Sequence, residues 1–115
     1  MNIRWYDLAY LDEISGGDKD FILDMIQTFV SNAPDELNDL KNIAKNSEWS
    51  RLGESAHKFA PGLQFLGLTS LRPVINQLEE FAFEQKKLEL IPDLIAKLES
   101  QCLQVIDELK KDFNI

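Results

Sequence analysis

The stretch from Ser47 to Leu66, SEWSRLGESAHKFAPGLQFL, decides the fold. Within it Trp49, Leu52, Ala56, Phe59, Leu63 and Leu66 recur at alternating steps of three and four. That spacing lines side chains along one stripe of an α-helix and makes a seam for bundle packing. Gly67 follows directly and supplies the left-handed residue on which such a helix ends.

Working outward, the same period extends along the chain, with few strand signals and only five Gly and four Pro. Towards the N-terminus, Leu8, Leu11 and Ile14 predict a short helix over Asp7–Ile14, stopped by Ser15-Gly16-Gly17. Asp18 then caps a second helix. Apolar or small residues at 22, 26, 29, 33, 37, 40 and 44 keep one phase across Pro34. A break would reset that phase, so Asp18–Lys45 reads as one long helix, kinked near Asn32–Pro34 where proline removes a backbone donor. Towards the C-terminus, Thr69 is expected to cap a fourth helix, Ser70–Gln85. Pro73 lies in its first turn, and Leu71, Val74, Ile75, Leu78, Phe81 and Ala82 form its buried face. A fifth helix runs from near Pro92 to Lys111, with Leu94, Ile95, Leu98, Cys102, Val105, Ile106 and Leu109 as its stripe. The fold class is all-α: an antiparallel four-helix bundle with a short N-terminal capping helix, as one domain over residues 1–115.

Charge and cysteine usage narrow the function classes. Twenty acidic against 12 basic residues give a net charge of −8. Nucleic-acid binding needs a basic footprint, and none is present; an acidic surface also opposes adsorption to anionic lipid. No apolar run reaches the roughly 20 residues of a membrane span, and the N-terminus lacks an apolar signal core. A lone Cys102 excludes an internal disulfide and fits a reducing compartment, hence the cytoplasm. One bundle buries its own seams, so a monomer is expected, with proteins or small molecules as partners.

His57 is the chain's only histidine. On a wheel of about 100° per residue it falls roughly 120° from the Leu63 seam, at the rim of the bundle. Gly53, Ala60 and Pro61 flank it and are read as leaving a bare surface over the ring. A neutral imidazole there is a nucleophile open to another protein. On the wheel alone, a surface histidine without a role is the commoner reading. A metal site has no second histidine to support it, and Cys102 belongs to another helix's stripe. Glu79, Glu80, Glu84 and Glu89 read as solvated surface, and Cys102 as a small core residue. Phe65 projects roughly 160° from the seam, facing a partner or turned inward by a bend at Pro61. Phe21, Ile22, Leu23, Met25 and Ile26 surround most of the second helix, either buried under the first helix or forming a docking patch.

The segment Ala56-His57-Lys58-Phe59, followed by Leu63, Phe65 and Leu66-Gly67-Leu68, resembles the signature of histidine-containing phosphotransfer (HPt) domains. Tyr6-Asp7-Leu8 with Leu11 to Asp18 is similar to that family's leading helix and turn, and Phe29 to Pro34 to its long kinked helix. The likeness covers about residues 6–112.

The resemblance implies a phosphocarrier in a two-component phosphorelay of bacterial type. His57 takes a phosphoryl group from the aspartate of a receiver domain, that of a hybrid histidine kinase. It then passes the group to the receiver of a response regulator. It implies no enzyme activity and no resident cofactor, the magnesium belonging to the receiver. Lys58, Ala60, Pro61 and Gln64 are implied beside the phosphate, and Ile14, Phe21, Met25, Gly53 and Phe65 at the docking surface. The family usually has lysine where this chain has Ala60, and glycine or serine where it has Pro61. The implied phosphohistidine thus lacks a cation one turn on, which Lys58 could replace only by reaching around the helix. Two alternatives stand beside this reading: a degenerate HPt-like domain that binds receivers without transfer, and an unrelated helical adaptor. Partner identity, and whether the chain is free-standing or part of a longer kinase, stay open at this level.

Overall fold

Each helix forms where the apolar spacing places it. In the computed structural model, which describes residues 5–115, α1 spans Ala9–Ser15, α2 Lys19–Lys45, α3 Trp49–Phe65, α4 Arg72–Glu84 and α5 Ile91–Phe113. α2 packs on α3 and α5, and α4 packs on the same two, which closes a four-helix ring; α1 lies against α2. The body measures 41 × 24 × 24 Å.

The ends follow local chemistry, with one correction. The Asp18 carboxylate accepts from the Asp20 and Phe21 N–H groups at 3.0 and 3.1 Å, capping α2 as expected. α3 ends with Gly67 at φ +68°, while Leu68 N–H donates to the Leu63 carbonyl and Gly67 N–H to that of Gln64, a Schellman motif. Thr69 does not cap α4. A 3₁₀ turn over Thr69–Leu71 precedes that helix, and no side-chain cap is made there. The turn draws Leu71 into the core at 1% exposure while Thr69 stays in solvent. Pro73 sits in the first turn of α4, where a missing N–H costs little.

α2 runs unbroken through Pro34 and α3 through Pro61. Both prolines lie on exposed faces, so water can reach the carbonyls of Val30 and His57 that lose their donors. The core is a single apolar cluster drawn from every helix, with no buried polar or charged side chain among the described residues. Its α2 stripe ends on Ile43 rather than Ala44, which is half-buried. Cys102 is fully buried in the α5 stripe, and burial pushes its thiol up to about 12.

The segment before α1 ties the bundle shut. Asp7 N–H donates to the Leu66 carbonyl at 2.8 Å, and Trp5 N–H to Glu108 Oε1 at 3.0 Å. The Tyr6 hydroxyl donates to the Asp112 carboxylate, with its ring 6.5 Å from that of Phe113. The chain passes so close to Gly67 that a Cβ there would meet the Asp7 carbonyl oxygen. Gly67 is therefore required twice, for its positive φ and for this approach.

Candidate functional site

α3 and α4 are antiparallel neighbours joined by a short turn centred on Leu68. Positions equally far before and after that turn face each other: Gly53 meets Phe83, and His57 meets Glu79. His57 Nδ1 lies 2.8 Å from Glu79 Oε1. The imidazole is 73% exposed, while the glutamate is only 26% exposed and held against the bundle. An ionised carboxylate can only accept, so Nδ1 is the donor and carries the hydrogen. The neutral ring then keeps its lone pair on Nε2. A well-held carboxylate thus fixes the tautomer and the orientation of an exposed nucleophile.

The ring opens onto a cleft of about 350 Å³ between α3 and α4. Its α3 wall includes Ala60, Pro61 and Gln64, and its α4 wall includes Arg72, Asn76 and Glu79. In the register set by the His57–Glu79 pair, Asn76 falls opposite Ala60 and Arg72 opposite Gln64. Ala60, Pro61 and Gln64 are thus gathered beside His57. Lys58 is not. It lines hollows on the other flank of α3, one shared with Glu36, Asp39 and Ser55 and one with Met25, Phe59 and Phe65. Burial, and secondarily Asp39, hold the Glu36 carboxyl above the usual range.

Two expectations are corrected. Gly53 does not leave an open surface, because the Phe83 ring covers it and a Cβ there would come within 2.7 Å of that ring. The glycine serves close packing of α4 on α3, and the exposed group at that place is Phe83, 47% accessible. Glu79, read from sequence as solvated, is the partner of His57. Its signal was present in the mirror register about Leu68, which needs the turn to be placed before it can be used.

The apolar residues expected to dock a partner divide by exposure. Ile14 and Phe21 are open at 47% and 40%, and Ile26 is fully buried. Ile22, Leu23 and Met25 are half-buried. Phe65 is also half-buried, stacked on Tyr10 of α1 with centroids 5.9 Å apart. Ile22 and Leu23 line a hollow with Leu8, Ala9 and Phe113, so α1 covers part of the patch and leaves the rest in solvent. Among the described residues, no group of three or more His, Cys, Asp or Glu is placed to hold a metal ion. No helix of the described residues is long and apolar enough to cross a membrane.

Comparison with known proteins bears on this arrangement. The family model described as Hpt domain matches residues 24–111, most of the chain and all of the segment that carries His57 and Glu79. The fold is similar to the crystal structure of histidine-containing phosphotransfer protein B (HptB) from Pseudomonas aeruginosa PAO1. The TM-score is 0.83, with 23% identity over 96% of each chain. No curated protein matches in sequence.

Proposed function

Because this chain belongs to the Hpt domain family, the histidine phosphocarriers of phosphorelays, we propose that His57 takes and passes on the phosphoryl group through Nε2. The observation that carries this reading is the 2.8 Å pair of Nδ1 with Glu79, which leaves Nε2 as the free nitrogen of a 73% exposed ring. In the forward step the Nε2 lone pair attacks phosphorus in line. The N–P bond forms as the bond from phosphorus to the receiver's aspartyl oxygen breaks, and that carboxylate leaves. Positive charge grows on the imidazole as this happens. Glu79, accepting from Nδ1–H, is placed to stabilise it. The return step to a second receiver is the reverse. The chain contributes a held nucleophile, and the complex contributes alignment.

Family members work with receiver domains; here the donor is assigned to a hybrid kinase's receiver and the acceptor to a response regulator's. The docking surface runs from His57 around α3 to Phe65, Met25, Phe21 and Ile14, with Phe83 on the α4 side. Magnesium belongs to the receiver in this reading, no catalytic centre of the chain's own is invoked, and the carrier acts as a cytoplasmic monomer.

The test is incubation with a phosphorylated receiver and magnesium. Label should pass to the wild-type chain and not at all to His57→Gln. That variant should keep its stability within ~0.5 kcal/mol, as exposed positions do. Label on another residue would sink the assignment, and a large loss of melting temperature in the variant would make His57 structural. Binding of the receiver without transfer would mark a degenerate member.

A further inference from the structure

A phosphoryl group on His57 adds about −1.5 to −2 charge beside the Glu79 carboxylate, on a chain already at net −8. Something must offset that charge, and Ala60 offers none. The cation nearest in sequence, Lys58, lines hollows with Glu36 and Asp39 on the α2 side of α3. The cleft that His57 itself lines has three charged or titratable members: His57, Glu79 and Arg72. Arg72 is exposed and forms no ion pair among the described residues, unlike Lys41, which pairs with Glu99, or Lys86, which pairs with Glu84. Asn76 lies between Arg72 and Glu79 on the same face of α4, with an amide that can donate.

We propose that Asn76 and Arg72 of α4 hold the phosphoryl group of phosphorylated His57 over the mouth of this cleft. The Asn76 amide donates to a phosphoryl oxygen, and Arg72 supplies the compensating charge. The inference rests on His57 being the carrier. It moves the phosphate-stabilising role from the helix that bears the histidine to the helix that faces it. Facing Ala60, Asn76 stands one turn along the cleft from His57, with Arg72 one turn further. The pair offers a donor first and a long cationic arm behind it.

The test needs no protein partner. Phosphoramidate, a small N-phosphoryl donor, transfers its phosphoryl group to imidazole and releases ammonia. Phosphorus NMR then follows the second ionisation of the attached group against pH. A cation nearby favours the dianion and lowers that pKa. Arg72→Gln should raise it by roughly 0.2–0.7 of a pH unit, scaled from partly exposed ion pairs. Arg72→Lys should keep most of the wild-type value, and Asn76→Ala should shorten the lifetime of the phosphohistidine. Lys58→Gln removes the same unit of charge and should move the ionisation less than Arg72→Gln does. An equal or larger effect from Lys58→Gln overturns the proposal, as does an unmoved ionisation in Arg72→Gln together with an unchanged lifetime in Asn76→Ala. Failure of any phosphorus–nitrogen signal to form on His57 sinks the carrier assignment instead, and this inference with it. Circular dichroism of each variant separates these outcomes from misfolding.

Discussion

On one flank of α3, His57 faces Glu79 and looks along a cleft whose cation is Arg72; on the other, Lys58 faces Glu36 and Asp39 of α2. One residue of sequence, about 100° of helix, separates a nucleophile set among donors from a lysine set among carboxylates. Adjacency along the chain is thus a poor guide to which charge serves which site. The partner helix decides. The α4 flank holds its one carboxylate against the bundle, while the α2 flank gathers two around a single lysine.

The most disruptive way to break this contrast acts on both flanks together. Gly67→Ala places a Cβ at a positive φ and against the Asp7 carbonyl, unseating the α3–α4 turn that sets the register. A loss of about 2–4 kcal/mol is expected. Melting temperature should fall by roughly 10 °C or more, which thermal unfolding measures directly. An unchanged melting point would mean that the turn does not fix how α3 and α4 face each other.

A narrower change separates the flanks. Glu79→Gln keeps an acceptor near Nδ1 but removes the charge. The lost charge-assisted bond, discounted for the exposed ring, is worth ~1.4 kcal/mol, or about tenfold in the rate of phosphoryl acceptance. Folding should be nearly unaffected. Wild-type rates in rapid-quench assays would show that the pair only orients the ring.

The smallest effect belongs to the α2 flank. Glu36 has a raised pKa in the folded chain, through burial first and Asp39 second. Its ionised form is therefore less welcome folded than unfolded, so its contribution to stability falls as pH rises through the acid range. The penalty is complete at neutral pH. Glu36→Gln should stabilise the protein at pH 7 by no more than ~0.5 kcal/mol, and the gain should vanish near roughly pH 3, where both states hold the proton. Urea unfolding at the two pH values checks the sign. Destabilisation at pH 7 would mean that Glu36 is held by Lys58 more than it is repelled by Asp39.

Much of the fold was legible because helix stripes are local. The apolar phase across Pro34, the Asp18 cap and the Gly67 stop each depend on residues within a few turns. What escaped was chemistry joining distant segments. Glu79 looks like any surface glutamate until α4 is laid against α3. Gly53 looks like a gap until Phe83 fills it. The 3₁₀ turn ahead of α4 has no periodic signature, so the sequence alone does not separate Thr69 from a true capping residue. The rim position of His57 was readable from the wheel, and 73% exposure agrees with it. The tether of Asp7 to Leu66 had no sequence signal.

The burial of Cys102 has a practical consequence for watching the site at work. The chain's only thiol is closed to solvent and, at a pKa of about 12, almost wholly protonated at neutral pH. The thiolate is the species that reacts with maleimides and disulfides, so the native protein is silent to them while folded. A cysteine introduced at an exposed position of the proposed docking surface, such as Phe21 or Ile14, is then the one site that takes a dye or spin label. Receiver docking can be followed on a single-probe protein without first removing the native sulfur from the core.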